Sequence, residues 1–189
     1  MIKINIESNF KEVAKEFRGL DRKVIAPATN RAINKVLAQS KTQAKRDIKR
    51  DTGLKAGDVN KRLSTRKSTK STLTGTLTVE GRPLNLQDFG ARQTKKGVVA
   101  KAWGNRKLYR GAFQFRGKYS GKQLVGKKKK GGRGVKAVFG ASAPKEFVRQ
   151  KTDVEIVKLV DKKFNRILGQ QIDYEWKRSV KNNIFGKGL

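Results

Sequence analysis

The chain has no cysteine and no histidine. Without cysteine there can be no disulfide and no thiolate metal site, and the redox compartment is left open. Without histidine the chain lacks the commonest general base and the commonest metal ligand. Acids are scarce as well: 15 Asp and Glu stand against 47 Lys and Arg, a formal net charge of +32. No apolar run approaches the roughly 18 residues of a membrane span. The N-terminal MIKINIESNFKE has none of the apolar core of a secretion signal. The expected setting is the cytoplasm, or a particle assembled there.

What is present argues for a folded chain. Hydrophobic residues make up 35% and there are 19 glycines, so disorder throughout is not expected despite the charge. At 189 residues one domain, 1–189, is the default, able to bury about 70% of its unfolded surface. Between Phe89 and Lys145 there are 17 Lys and Arg and no Asp or Glu. Self-repulsion of that kind opposes compaction, so its compensation must come from outside the chain. A polyanion is the best candidate.

Taken in order, Ile2 to Ile6 alternate apolar and polar residues, a short strand. Ser8 or Asn9 can cap a helix with Phe10, Val13, Ala14 and Phe17 on one face, ending at Gly19. Ile25, Ala28, Ala32, Val36, Ala44 and Ile48 recur at helical spacing, opposite a basic face of Arg31, Lys35, Lys41, Lys45 and Lys49. Pro27 fits in the first turn of that helix, and Asp51-Thr52-Gly53 ends it. The alanines Ala28, Ala32 and Ala44, with Val36, are the candidate subunit-interface face. A short helix is expected over 56–63, then strands over 72–80, 98–103 and 111–115, and a returning strand over 136–139.

Residues 117–134, rich in Gly and Lys, are expected as one mobile basic loop of a hairpin. Val157, Val160, Phe164, Ile167 and Gln171 mark one face of a final helix over 153–180, with Asp153, Glu155 and Asp161 towards its start. Residues 182–189 are expected as a flexible tail. The fold class expected is α+β: two long amphipathic helices packed on an antiparallel sheet of about four short strands.

Gly121 to Lys128, GKQLVGKK, matches the first seven positions of a phosphate-binding P-loop. The eighth, which should be Ser or Thr, is Lys128, and neither a buried strand nor a helix flanks it. The Lys127 to Lys130 run reads alone as a solvated loop tip, and within the wider acid-free stretch as a backbone-following phosphate contact. The polyanion or DNA-contact candidates are Arg92, Lys95, Lys96, Lys101, Arg106, Lys107, Arg110, Lys127, Lys128, Lys129, Lys130 and Arg133. Trp103, Tyr109, Phe113, Phe115 and Tyr119 interleave with basics as a stacking platform would. The favoured alternative puts Trp103, Phe113 and Phe115 in the core and leaves Tyr109 and Tyr119 exposed. Asp51, Asp58 and Asp88 are isolated from one another. Glu146, Asp153 and Glu155 suit helix starts, or a neighbouring subunit's basic face. No catalytic constellation emerges, and no metal or cofactor is implied.

One block carries a resemblance. FGARQTKKGVVAKAWG, Phe89 to Gly104, followed by Arg106-Lys107 and Gly111-Ala112-Phe113, resembles the minor tail protein Z family of long-tailed phages. The likeness extends upstream over 24–49 and downstream to Val138-Phe139-Gly140-Ala141-Ser142, and so spans roughly 20–174. The chain departs from the family where Gly-Pro-Ser follows the downstream aromatic; it reads Gly140-Ala141-Ser142-Ala143-Pro144. The resemblance implies a non-enzymatic virion protein that completes the head-proximal end of the tail and helps position the DNA end for ejection. It also implies a homo-oligomeric ring and neighbours such as the tail terminator and tail tube, with no membrane. Composition alone fits a second reading, a free non-specific nucleic-acid-binding protein.

Overall fold

A computed structural model describes residues 1–7, 22–118, 121–131 and 133–185. The helix expected after Ser8 or Asn9 lies outside these residues, as do Tyr119 and 186–189. In chain order the elements are β1 (Ile2–Glu7), α1 (Arg22–Thr52), α2 (Ala56–Asn60), β2 (Leu63–Arg66), β3 (Thr74–Val79), β4 (Arg92–Thr94), β5 (Gly97–Ala100), β6 (Lys107–Arg110), β7 (Ala112–Arg116), β8 (Gln123–Lys128), β9 (Val135–Ala137), α3 (Ala143–Arg149) and α4 (Thr152–Phe185). The α+β class holds. The strands, however, form three separate three-stranded sheets, ordered β1-β3-β2, β4-β5-β6 and β7-β8-β9, in place of the expected single sheet of about four.

The chain divides into two compact units. A helical unit comprises Lys3–Gln43, Ser64–Thr78 and Asp153–Leu189; a sheet unit comprises Met1–Ile2, Ala44–Leu63 and Val79–Thr152. Helix α1 contributes to both.

In the helical unit, α1 buries the apolar positions its periodicity predicts, among them Ile25, Ile33, Val36 and Leu37. Pro27 lies inside the helix, not in its first turn. It withholds one backbone N–H there, a defect that ordinarily costs about 3 kcal/mol. The buried Ile25 and Ala28 beside it hold the turn by packing. Ala28, Ala32, Val36 and Ala44, expected to face another subunit, are completely buried within the chain itself. Gly75 of β3 shows how tightly this helix is packed: a Cβ there would stand 2.9 Å from Ile33 Cγ2. Small residues thus bring strand and helix backbones together, and the alanine face serves intrachain packing.

Helix α4 buries Ile156, Ile167, Leu168, Gln171, Ile172 and Glu175. Val157, expected on that face, is exposed, and Ile156 takes its place. Positions 156 and 157 both lie three or four residues from 160, so spacing alone does not separate them, and the packing buries Ile156. The helix continues to Phe185, so residues 182–185 of the expected tail are helical.

In the sheet unit, the expected single loop over 117–134 is interrupted by β8, which pairs with β7 on one side and β9 on the other. Two short connections replace one long loop. A glycine explains how such a polar, Gly- and Lys-rich segment forms a central strand. A Cβ on Gly126 would collide with Val135 and stand 2.7 Å from Phe115 Cε1. Gly126 is therefore a close-approach residue of a sheet, not the glycine of a phosphate-binding loop. Helix α3 is an addition to the expected elements. It begins where the chain departs from the family pattern, with Ser142 at the N-cap position and Pro144 in the first turn, where its missing N–H is harmless.

Candidate polyanion interface

The resemblance-bearing block turns out to be mostly scaffold. Phe89 is buried, and Gly90 caps the preceding 3-10 turn (Leu86–Phe89) in the left-handed region, at φ 67°. Gly97 sits at φ 146°, where a Cβ would strike the Tyr109 carbonyl oxygen. Val98, Ala100 and Ala102 are buried. Trp103 takes a left-handed φ of 57°, strained for a residue with a Cβ. Its indole Nε1–H donates to Glu146 Oε1 at 2.9 Å. Glu146 is only 3% exposed and also pairs with Arg149 Nε at 3.0 Å.

Amides stitch this scaffold together. The Asn85 side chain accepts from the backbone N–H of Val125 at 2.8 Å and donates to its carbonyl at 3.0 Å, while also accepting from Gln87 N–H. Gln114 donates through Nε2 to Gln87 at 2.8 Å and to the Ala91 carbonyl at 3.1 Å. Its backbone N–H donates to Gln93 Oε1 at 2.9 Å. The buried Asn85 amide in particular fixes one geometry, because leaving it unpaired costs about 1–3 kcal/mol.

On this scaffold the basic residues stand outwards. All twelve polyanion candidates are exposed, and all belong to the sheet unit. Arg92 lies on β4, and Lys95 and Lys96 form the two-residue connection to β5. Lys101 precedes the 3-10 turn at Ala102–Gly104; Arg106 follows it, and Lys107 and Arg110 end β6. The register puts Arg92 in line with Val99 and Leu108, and Thr94 with Gly97 and Arg110, so Arg92 and Arg110 share one face of the β4-β5-β6 sheet. Lys127 and Lys128 end β8, and Lys129, Lys130 and Arg133 lie in its connection to β9. Two clusters result, one on each sheet.

None of the twelve pairs with a carboxylate among the described residues. Four acids of the sheet unit are engaged elsewhere: Asp47 and Asp51 with Arg50, Asp58 with Lys61, Glu146 with Arg149. No group of three or more His, Cys, Asp or Glu side chains is placed to hold a metal ion among the described residues.

The aromatic residues divide differently from expectation. Trp103, Phe113 and Phe115 are half-buried, the two phenylalanines 6.0 Å apart in a tilted pair. Tyr109, expected to be exposed, is half-buried too, with no partner for its hydroxyl among the described residues. That burial raises its pKa above the ordinary 10.0.

Two residues outside the expected set join the second cluster. Lys136 stands directly across from Lys127 in the β8–β9 pair, and Phe139 is 55% exposed beside them. The strand register brings the two lysines together, and register cannot be read from a Gly- and Lys-rich stretch with little apolar alternation. Phe139 lies at the end of the stretch expected as a returning strand, two residues past β9.

The family model described as prophage minor tail protein Z (GPZ) matches residues 10–182. No curated protein and no solved structure matches the chain.

Proposed function

Because the chain belongs to the prophage minor tail protein Z family, whose members are structural proteins of phage tails, we propose that it completes the head-proximal end of the tail. In this reading several copies form a ring that meets the tail terminator and tail tube, and the basic surface of the sheet unit faces the virion DNA and helps position its end. The observation that carries the DNA contact is the set of twelve exposed Lys and Arg with no carboxylate partner among the described residues. A surface that only needed solubility would mix both signs.

Position is tested by antibody labelling of virions under the electron microscope. Label at the head–tail junction is expected, and label confined to the distal tip overturns the reading. Assembly is tested by sedimentation of the purified protein with and without a short DNA duplex at 50 and 200 mM salt. A closed oligomer, or self-association with weak DNA binding per subunit, is the expected result. A monomer that binds duplex tightly, and loses about 10³ in affinity across that salt range, would favour a free nucleic-acid-binding protein instead.

A further inference from the structure

The β8–β9 hairpin borders a concavity of about 560 Å³ whose walls include Lys127, Lys128, Lys129, Lys130, Lys136 and Phe139. Its size is that of an ordinary small-ligand cleft. Two features of it are costly to the isolated chain. Lys127 and Lys136 are directly opposed across the strands, and like charges so placed repel. Phe139 leaves more than half of its surface in water on the wall of this lysine-lined concavity. A ligand that is anionic and also carries flat apolar faces would relieve both.

The platform is rigid. The backbone of Val138 donates to the Val125 carbonyl at 2.9 Å and accepts from Leu86 N–H at 3.0 Å. Gly140 N–H donates to the Leu84 carbonyl at 2.7 Å, and Phe139 itself is bridged to Asn85. The hairpin connection is closed by Lys129 N–H donating to the Gly134 carbonyl at 3.1 Å. The backbone that carries the ring is therefore held from both sides, while the residue itself stays exposed.

We infer that this concavity binds single-stranded nucleic acid, with a base stacked on the Phe139 ring and the neighbouring phosphates on Lys127 to Lys130 and Lys136. The inference rests on the reading above that the basic surface meets DNA, and deepens it by naming the form of the strand. A duplex presents phosphates but hides the faces of its bases, so the lysines serve either form while the ring serves only an unpaired strand. An acidic peptide would satisfy the lysines and leave the ring unused.

The test measures fluorescence anisotropy of the full chain at 50 mM salt with three labelled probes: a twelve-nucleotide oligodeoxythymidylate, a duplex of the same length, and an oligoglutamate. Phe139→Ala is expected to weaken oligothymidylate binding about tenfold or more, with duplex binding changed less than about twofold. Phe139→Trp should retain or tighten it. Lys127→Gln with Lys136→Gln should weaken both nucleic acids. Because Phe139 is exposed, its variants should melt as the parent does, which circular dichroism checks. Unchanged oligothymidylate binding by Phe139→Ala, or equal losses on both nucleic acids, overturns the inference; if the lysine variant still weakens both, the DNA-facing surface survives. Oligoglutamate binding as tightly as oligothymidylate, with no effect of Phe139→Ala on either, also overturns it in favour of an acidic protein neighbour. If neither nucleic acid binds the parent at 50 mM salt, both readings fall.

Discussion

One cluster in each unit treats positive charge in the opposite way. In the helical unit Arg31 reaches Glu175 at 2.6 Å and lies 5.0 Å from the centre of the Tyr174 ring, while Arg178 approaches the second carboxylate oxygen at 3.8 Å. One acid, 7% exposed, holds two guanidinium groups within the chain. In the sheet unit twelve exposed bases have no carboxylate among the described residues. Where the chain supplies its own counter-charge, the cation contributes to folding. Where it does not, repulsion is tolerated, and the charge is available to a partner.

The largest effect expected from breaking this contrast is on binding. Replacing Lys127, Lys128, Lys129 and Lys130 together by Gln should make the salt dependence of duplex binding shallower by up to about 3.6 in log–log slope, or about 0.9 for each phosphate no longer neutralised. Titration with a labelled duplex between 50 and 200 mM salt reads this directly. Thermal stability should hardly change, since these side chains support nothing in the fold; a large drop in melting temperature would show them to be structural.

Glu175→Gln attacks the other side of the comparison. It removes the charge that holds Arg31 and Arg178, and should cost about 2 kcal/mol, below the range for fully buried pairs because Arg31 is partly exposed. Urea unfolding measures it, and DNA affinity should stay as it was. An equal cost from a charge-neutral change at the partly exposed Asp58 would mean that burial of the acid is not what matters.

Lys136→Glu supplies the β8–β9 hairpin with a counter-charge. Opposite Lys127 it should stabilise the hairpin by about 0.5 kcal/mol while weakening DNA binding, so stability and affinity move in opposite directions. If both fell together, the hairpin would not have the register described.

The smallest effect concerns Tyr109. Its folded pKa is raised by burial, so the associated stability is fully present below pH 10 and is lost as pH rises through the folded value. Tyr109→Phe should leave neutral stability unchanged or slightly higher, because a buried hydroxyl without a partner among the described residues is removed. Its advantage over the parent should grow above pH 10. Melting curves from pH 7 to 11 check the trend.

Much of this molecule is legible in its sequence because the relevant physics is local. The 3.6-residue periodicity of Ile25, Ala28, Ala32 and Val36 marks α1, and the polar alternation of Thr74 to Val79 marks β3. The short strands are less visible. Arg92–Thr94 and Lys107–Arg110 carry little apolar alternation, and they become strands only because β5 lies between them and bonds to both. Strand β8 is hidden for the same reason, since Gly126 and its lysines resemble a loop until β7 and β9 are in place.

The sequence by itself determined the charge, 47 bases against 15 acids with no histidine or cysteine, and with it the expectation of a polyanion partner. It also determined the family, whose model matches residues 10–182. Only the tertiary structure decided which faces are free. It buried the alanines of α1, which composition alone leaves looking like an interface, and exposed Phe139 among lysines gathered from two strands. Periodicity shows which residues share a face of a helix or strand. What covers that face depends on elements distant in sequence, and is settled only when they pack.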